Sequence, residues 1–417
     1  MSKECYLFNA FYPYNPGETF LANELDCFEY FSKVWIYPVL SDPVGQNSFH
    51  YRAIQKVDIG VVDDGSSFTL KQKARYSVRA LFEKEFWREM PLLTRTGRMS
   101  FANVLKALRF TAHGRFCADT VLKHICEESK GSEITLYSYW MNLDAYVAAL
   151  VKQELQKRNI ACKLIVRGHR VDIYEYADAT QYIPMRQFIF SAADKLCPIC
   201  DDGYRYLVDT YSVPTDKMSV QRLGTDDQGL RISARSDTFT IFSCAWMRKV
   251  KRLDRLAMAL EQIDFPVRWI HAGDGEEYEN VKRILQENQN PLFSWELLGA
   301  KTNEEVYDLY RTRDINCFIN VSESEGVPVS IMEAMSFGKI IIATDVGGSS
   351  EIVLNAQNGV VLPKDFSQEE LIEAVNTIRN LPSDAYNKMS HKSREIWEQR
   401  CSAEHNYREF AKLLVEL

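Results

Sequence analysis

The chain has 417 residues, 46% of them hydrophobic and 26% charged, with a formal net charge of -7. These proportions sit near the average for folded soluble proteins and exclude a disordered or fibrous chain, while the negative balance argues against nonspecific nucleic-acid binding. At roughly 150 residues per domain the length predicts about two to three domains, and two is the working number.

No apolar run reaches the roughly 18 to 20 residues that span a bilayer, and the opening Met1-Ser-Lys-Glu-Cys lacks the basic and apolar regions of a secretion signal. A cytoplasmic location is therefore expected, and ten scattered cysteines fit that compartment. Cys197 and Cys200 form a C-x-x-C, but a zinc site of that type needs a second pair, which the sequence lacks. Two small buried thiols at a strand end are expected there, and no metal site.

Along the chain, short β-rich runs alternate with longer helical patterns, as parallel sheets built from βαβ units require. The first strands are expected at 5–9, 34–39, 134–138 and 163–166. A basic stretch over 71–130 interrupts this series with helices, as an insertion in the first domain. Between Lys71 and Lys123 it holds twelve Lys and Arg against Glu83, Glu85, Glu89 and Asp119, a local +8. Interleaved with Phe82, Phe86, Trp87 and Phe110, this region reads in two ways: as a surface for an anionic membrane or phosphorylated acceptor, or as ordinary solvated helix faces. Residues 221–237, rich in Gly, Asp, Ser and Arg, form the expected linker. A second strand series follows at 238–244, 267–272, 293–298, 315–321 and 339–344. Three helices are expected at 369–379, 385–397 and 404–417 from apolar residues at three- and four-residue spacing.

The densest chemical signal runs from Ile319 to Glu351. A buried strand ends near Val321, a loop carries Glu325 and Gly326, Pro328 suits the first turn of a helix, and Gly338 stops it. Gly326 allows a ligand close to the backbone, and unpaired N–H groups of Val329, Ser330 and Ile331 can hold an anion at the helix end. A phosphate at that end beside a hydroxyl-binding carboxylate is the pattern a sugar diphosphate needs. Glu333 follows eight positions after Glu325.

The run E-G-x-P-x-S-x-x-E-A-M-x-x-G from Glu325 to Gly338 resembles the family 4 glycosyltransferases of the GT-B fold, whose E-x7-E motif matches Glu325 and Glu333. That resemblance implies an α/β architecture of two doubly wound, Rossmann-like parallel-sheet domains facing across a cleft, with the active site between them. It implies a first domain over 1–220, a nucleotide-sugar domain over 221–394, and a C-terminal helix, 395–417, that packs back on the first domain. In the family the first Glu engages donor-sugar hydroxyls and the second the ribose, while backbone of the intervening residues, here Gly326, Val327, Val329 and Ser330, meets sugar and diphosphate. Trp246-Met-Arg-Lys-Val-Lys251-Arg252 resembles the diphosphate loop, which makes Lys251 the expected leaving-group cation and Arg252 its helper. Many members carry an arginine five residues before the lysine, where this chain has Trp246.

Arg167-Gly-His169-Arg-Val-Asp172-Ile-Tyr174 resembles the histidine loop of the branch acting in bacterial exopolysaccharide and lipopolysaccharide assembly, which places His169 at the donor sugar. Asn15-Pro-Gly17-Glu18-Thr19-Phe20-Leu-Ala-Asn23-Glu24 resembles that branch's G-E-T-F-x-x-x-E stretch. Gly17 then lines the site, or the segment is simply a turn with Thr19 as helix cap. His271-Ala-Gly273-Asp-Gly275 resembles the G-x-G turn near the nucleotide, a pattern that is also an ordinary turn.

The implied activity is transfer of a hexosyl unit from a nucleoside diphosphate sugar to a glycan or lipid-linked acceptor, with retention. Peripheral contact with the inner face of an anionic membrane belongs to the same reading. No cofactor or metal is expected, since no D-x-D stretch is present. Two other classes stay open: a noncatalytic GT-B protein that binds glycan or stabilises a partner, and a GT-B phosphorylase or epimerase.

Overall fold

The computed structural model describes residues 3–14, 18, 20–40, 57–62, 68–129 and 133–417. Gly17 and Thr19, singled out above, lie outside the described residues. The chain divides into two compact units, Met1–Gln221 with Tyr407–Leu417, and Arg222–Asn406.

The first unit is built on strands β1 (Lys3–Asn9), β2 (Lys33–Pro38), β3 (Ile59–Val61), β4 (Glu133–Ser138), β5 (Cys162–Gly168) and β6 (Lys195–Pro198). They form one parallel sheet in the order β3-β2-β1-β4-β5-β6. The last five residues of β1, β4 and β5 are all buried, as strands covered on both faces must be, so they read as unbroken apolar runs and not as alternating ones. β3 and β6, three and four residues long, are too short to stand out by pattern; of the two, only the end of β6 was expected, from the buried thiols Cys197 and Cys200.

The second unit holds β7 (Phe239–Cys244), β8 (Val267–Ala272), β9 (Phe293–Leu297), β10 (Cys317–Asn320), β11 (Ile340–Thr344) and β12 (Gly359–Leu362), again parallel, in the order β12-β11-β10-β7-β8-β9. Counted from its own first strand, this is the order of the first sheet. β12 is an unexpected edge strand. It opens at Gly359, where a side chain would meet the Ile341 carbonyl oxygen at 2.0 Å, so a residue that usually weakens a strand is required here for close pairing.

The connection from β3 to β4 carries three helices, Leu70–Ala80, Lys84–Arg95 and Phe101–Glu128. Thr69 and Gln72 close a capping box on the first, and Ser100 caps the third by accepting from the Asn103 amide at 3.2 Å.

The C-terminal region departs from the expected limits. Helix Ser383–Arg400 stays with the second unit, where the Trp397 indole donates to Thr225 at 2.9 Å and the Ser393 hydroxyl to the Lys339 carbonyl at 2.7 Å. The chain breaks at Cys401 before helix Ala403–Glu416, and only from Tyr407 does it join the first unit. There Phe410 is buried with its ring 5.1 Å from Tyr137, and Lys3 donates to the Val415 carbonyl at 2.8 Å.

In a doubly wound sheet, chains leaving the two strands at the point of order reversal run in opposite directions and open a crevice at the carboxyl ends. That point lies between β1 and β4 in the first sheet and between β7 and β10 in the second.

Candidate active site

In the second unit, the loops from the two central strands meet at this crevice. Residues 245–252 follow β7 and 321–328 follow β10. Lys251 Nζ lies 2.5 Å from Glu325 Oε1, joining the two loops. Asn320, the last residue of β10, donates to the same carboxylate oxygen at 3.3 Å and accepts the Ser322 amide at 3.1 Å, so the strand end aims the carboxylate. The Glu323 amide also donates to the Val250 carbonyl at 2.8 Å. Sequence reading found Lys251 and Glu325 singly. Their pairing and the part of Asn320 appear only when β7 and β10 lie side by side.

Helix Val329–Ser336 starts behind Pro328, whose φ of -67° suits a helix entry and which has no N–H to leave unpaired. No side chain caps it. The Ile331 amide donates to the Pro328 carbonyl at 3.1 Å, so the three N–H groups expected to face an anion reduce to two, those of Val329 and Ser330. Glu333 sits one turn further on, buried, accepting from the Tyr307 hydroxyl at 3.3 Å. Burial pushes its pKa from the ordinary 4.5 up to about 7, against the pull of the Tyr307 hydrogen bond. A carboxyl kept in so dry a place at such a cost is a candidate for binding work.

Glycines let neighbouring loops press backbone to backbone around this site. At Gly347, φ is +54° and a side chain would meet the Glu325 carbonyl oxygen at 2.1 Å, while the Gly348 amide donates to the Gly326 carbonyl at 2.6 Å. At Gly273 a side chain would meet the Ala245 carbonyl oxygen at 1.9 Å, and at Gly275 the Met247 carbonyl oxygen at 2.7 Å. The Met247 amide donates to the Asp274 carbonyl at 2.8 Å. Gly273 and Gly275 thus hold the lysine loop in place, whatever else they touch.

Arg252 is engaged in the same framework. At φ +50° it turns the chain into helix Leu253–Leu260. Its guanidinium donates to the carbonyls of Val321 (2.8 Å), Ser322 (2.8 Å) and Lys364 (2.7 Å), clamping the two loops together. Three of its five N–H donors therefore face protein, which gives Arg252 the part of a brace beside Lys251. Trp246 lies largely exposed on the same loop. Val327 is buried just before the helix.

In the first unit, His169 directly follows β5, nearly buried, with its ring centroid 4.5 Å from Tyr139 and 4.4 Å from Trp140. Neither ring nitrogen has a hydrogen-bond partner among the described residues. Asp172, fully buried, accepts the His169 amide and the Met141 amide, each at 2.8 Å, and fixes this loop to the one after β4. Burial alone would raise the Asp172 pKa, but the His169 ring, whose Nδ1 lies 3.7 Å from Oδ2, and the two amide hydrogen bonds hold it below the usual value.

The two glutamates of the G-E-T-F-x-x-x-E stretch, Glu18 and Glu24, were read as motif positions without a role of their own. Glu18 is buried and accepts from the amides of Ala10 (3.0 Å), Phe11 (2.6 Å) and Tyr12 (2.6 Å), from Asn9 (3.0 Å), and from the Trp140 indole. It therefore shapes the loop after β1 and joins it to the aromatic pair under His169. Glu24 forms a fully buried ion pair with Arg167 at 2.5 Å and accepts the Tyr137 hydroxyl at 2.6 Å. The motif itself was the available signal, but only the fold brings Glu24 its arginine, from 143 positions away.

Among the described residues no cluster of three or more His, Cys, Asp or Glu is arranged to hold a metal ion. Cys197 and Cys200 are both buried, and neither forms a disulfide with a described residue.

Two parallel sheets of this order, each with loops converging at its switch point, are the architecture of GT-B glycosyltransferases. Solved structures agree on the fold: Anabaena Alr3699/HepE in complex with UDP-glucose superposes with a TM-score of 0.67 over 100% of both chains, at 15% identity. Residues 230–396 match the family described as Glycosyl transferases group 1. The putative colanic acid biosynthesis glycosyltransferase WcaL of Escherichia coli is 24% identical over 363 residues, 85% of this chain and 84% of that protein. An uncharacterized glycosyltransferase of Methanocaldococcus jannaschii, MJ1178, is 34% identical over 129 residues, which span 30% of this chain and 35% of that protein. The chain is an enzyme of the glycosyltransferase class.

Proposed function

We propose that the enzyme moves a hexosyl unit from a nucleoside diphosphate sugar to a hydroxyl of a glycan or lipid-linked glycan, with retention at the anomeric carbon, as a family 4 member of the branch that builds cell-surface polysaccharide. The observation that carries the donor side is the Lys251–Glu325 pair at the switch point, beside a helix that offers the Val329 and Ser330 amides. Complexes of UDP and UDP-glucose with a protein of the same fold support a nucleotide sugar, and the colanic acid relative supports a polysaccharide acceptor.

In this reading the donor enters between Lys251 and Glu325. The lysine turns to the diphosphate, the carboxylate to the sugar hydroxyls, and Glu333 accepts from the ribose. As the bond from anomeric carbon to diphosphate oxygen breaks, negative charge grows on that oxygen, and Lys251 with the helix amino end stabilises it without a metal. The acceptor hydroxyl attacks from the same face and passes its proton to the leaving oxygen. His169, on its aromatic bed, positions the sugar.

The test is release of nucleoside diphosphate from a panel of nucleotide sugars, with and without chelator and with and without acceptor glycans. Lys251→Ala is expected to lower turnover by about 100-fold or more, the usual cost of losing a donor to developing charge. Turnover equal to wild type in both Lys251→Ala and Glu325→Ala overturns the site. Turnover that needs inorganic phosphate points to a phosphorylase, and nucleotide binding without turnover to a noncatalytic protein.

A further inference from the structure

Helix Lys84–Arg95 separates its charges by sign. Glu85 and Glu89 are buried: Glu85 lies 3.9 Å from Arg115, and Glu89 accepts the Tyr182 hydroxyl at 2.5 Å. On the opposite side, residues at three- and four-residue spacing are all exposed: Lys84, Trp87, Arg88, Pro91 and Arg95. Lys84, Arg88 and Arg95 make no ion pair with any described residue. The outer stripe is thus purely cationic, and it extends about 18 Å at the helical rise of 1.5 Å per residue.

Apolar side chains stand at both ends of the stripe. Leu81 and Phe82 precede it, with Phe82 82% exposed, and the Trp87 indole donates to the Leu81 carbonyl at 2.7 Å, which holds the ring at this corner. Met99 and Phe101 follow it, with Phe101 84% exposed. Of fifteen exposed large hydrophobic side chains among the described residues, seven fall between Leu70 and Phe101, so the exposure is concentrated and not the scattered kind that needs no explanation. No described helix is long and apolar enough to cross a membrane, which leaves docking on a surface.

We propose that this face, aromatic at its ends and cationic between, docks on an anionic lipid bilayer, the aromatic groups entering the headgroup region while Lys84, Arg88 and Arg95 meet the lipid charges. Charge complementarity selects this occupant: a groove-binding peptide calls for a concave apolar site, whereas exposed aromatics flanking unpaired cations match a broad anionic plane. Lys106 bonds Asp178 at 2.8 Å and Arg98 pairs with Glu175, so the docking helices are tied to the segment that follows the His169 loop. Docking therefore holds the sugar-facing side of this unit at the lipid surface, where a lipid-linked acceptor is found.

The experiment is flotation of the full chain with phosphatidylcholine vesicles, with and without phosphatidylglycerol, at low and high salt, alongside light scattering without lipid. Wild type is expected to float only with the anionic vesicles and to release in salt. Lys84→Gln/Arg88→Gln/Arg95→Gln should lower the partition coefficient by about 100-fold, at roughly 1 kcal/mol per charge near the surface. Phe82→Ser/Trp87→Ser/Phe101→Ser should remove binding while circular dichroism stays unchanged. Equal partition of wild type and both variants, binding indifferent to lipid charge, or a dimer that becomes a monomer in the serine variant each overturns the proposal; the last makes the face a contact between copies. Because the readout is partition, its failure leaves the donor reading untouched.

Discussion

Replacing Glu333 with glutamine is expected to stabilise the second unit at pH 8 and leave it nearly unchanged at pH 4.5. Glutamine keeps the shape and can still accept from Tyr307. Burial moves the glutamate pKa from 4.5 to about 7, so between those values the folded chain binds more protons than the unfolded one. Stability must then fall as pH rises through this window, with the full advantage of the protonated form present below 4.5 and gone above 7. At about 1.4 kcal/mol per pKa unit, the difference is at most roughly 3.5 kcal/mol, an upper bound because relaxation and water entry soften burial. The assay is urea unfolding of wild type and Glu333→Gln at pH 4.5 and pH 8, followed in the transition of the second unit. A variant no more stable than wild type at pH 8, or one whose gain is as large at pH 4.5, refutes the argument. Ligand binding gives a second check: ribose hydroxyls favour the ionised carboxylate, so nucleoside diphosphate should bind more weakly as pH drops below 7, with a proton released on binding near pH 6. Calorimetry in buffers of different ionisation enthalpy reads that proton directly.

Gly347→Ala combines a left-handed backbone with a contact on the Glu325 carbonyl, and should cost about 1 to 3 kcal/mol in thermal unfolding and lower turnover as the carboxylate shifts. Turnover and melting temperature equal to wild type would show that the loop has room to spare. Arg167→Met leaves Glu24 buried without its cation and should cost about 3 to 5 kcal/mol, whereas adding Glu24→Gln should recover part of that loss; denaturant midpoints of the three proteins decide it, and a double variant less stable than the single contradicts the pairing. Asp172 has a depressed pKa, so it contributes stability above the ordinary carboxylate range that is lost as pH falls through its folded value. Asp172→Asn should therefore weaken the fold at pH 7 more than at pH 2, as measured by urea midpoints, and should raise KM for the sugar more than a distant surface change does, because His169 loses its anchor.

The sequence by itself determined the repeating βαβ plan and nine of the twelve described strands, and it marks the run from Glu325 to Glu333 as a strand end, loop and helix start. These are legible because fully buried parallel strands are unbroken apolar runs and because a proline, a glycine and spaced carboxylates mark a helix end locally. The strands 59–61 and 359–362 were missed and 195–198 was expected only at its end, because all three are short and their pairing is set by neighbours distant in the chain. Tertiary structure alone decided which polar residues share a place. Lys251 and Glu325 are 74 positions apart, and Arg167 and Glu24 are 143 apart, so neither pair leaves a local signal. It also gave Arg252 to three carbonyls, removed Ile331 from the free amides, and turned Glu85 and Glu89 inward so that a helix of mixed charge shows a cationic face. A sequence gives the sign of each charge, but the direction in which each side chain leaves the fold depends on what the opposite face must bury.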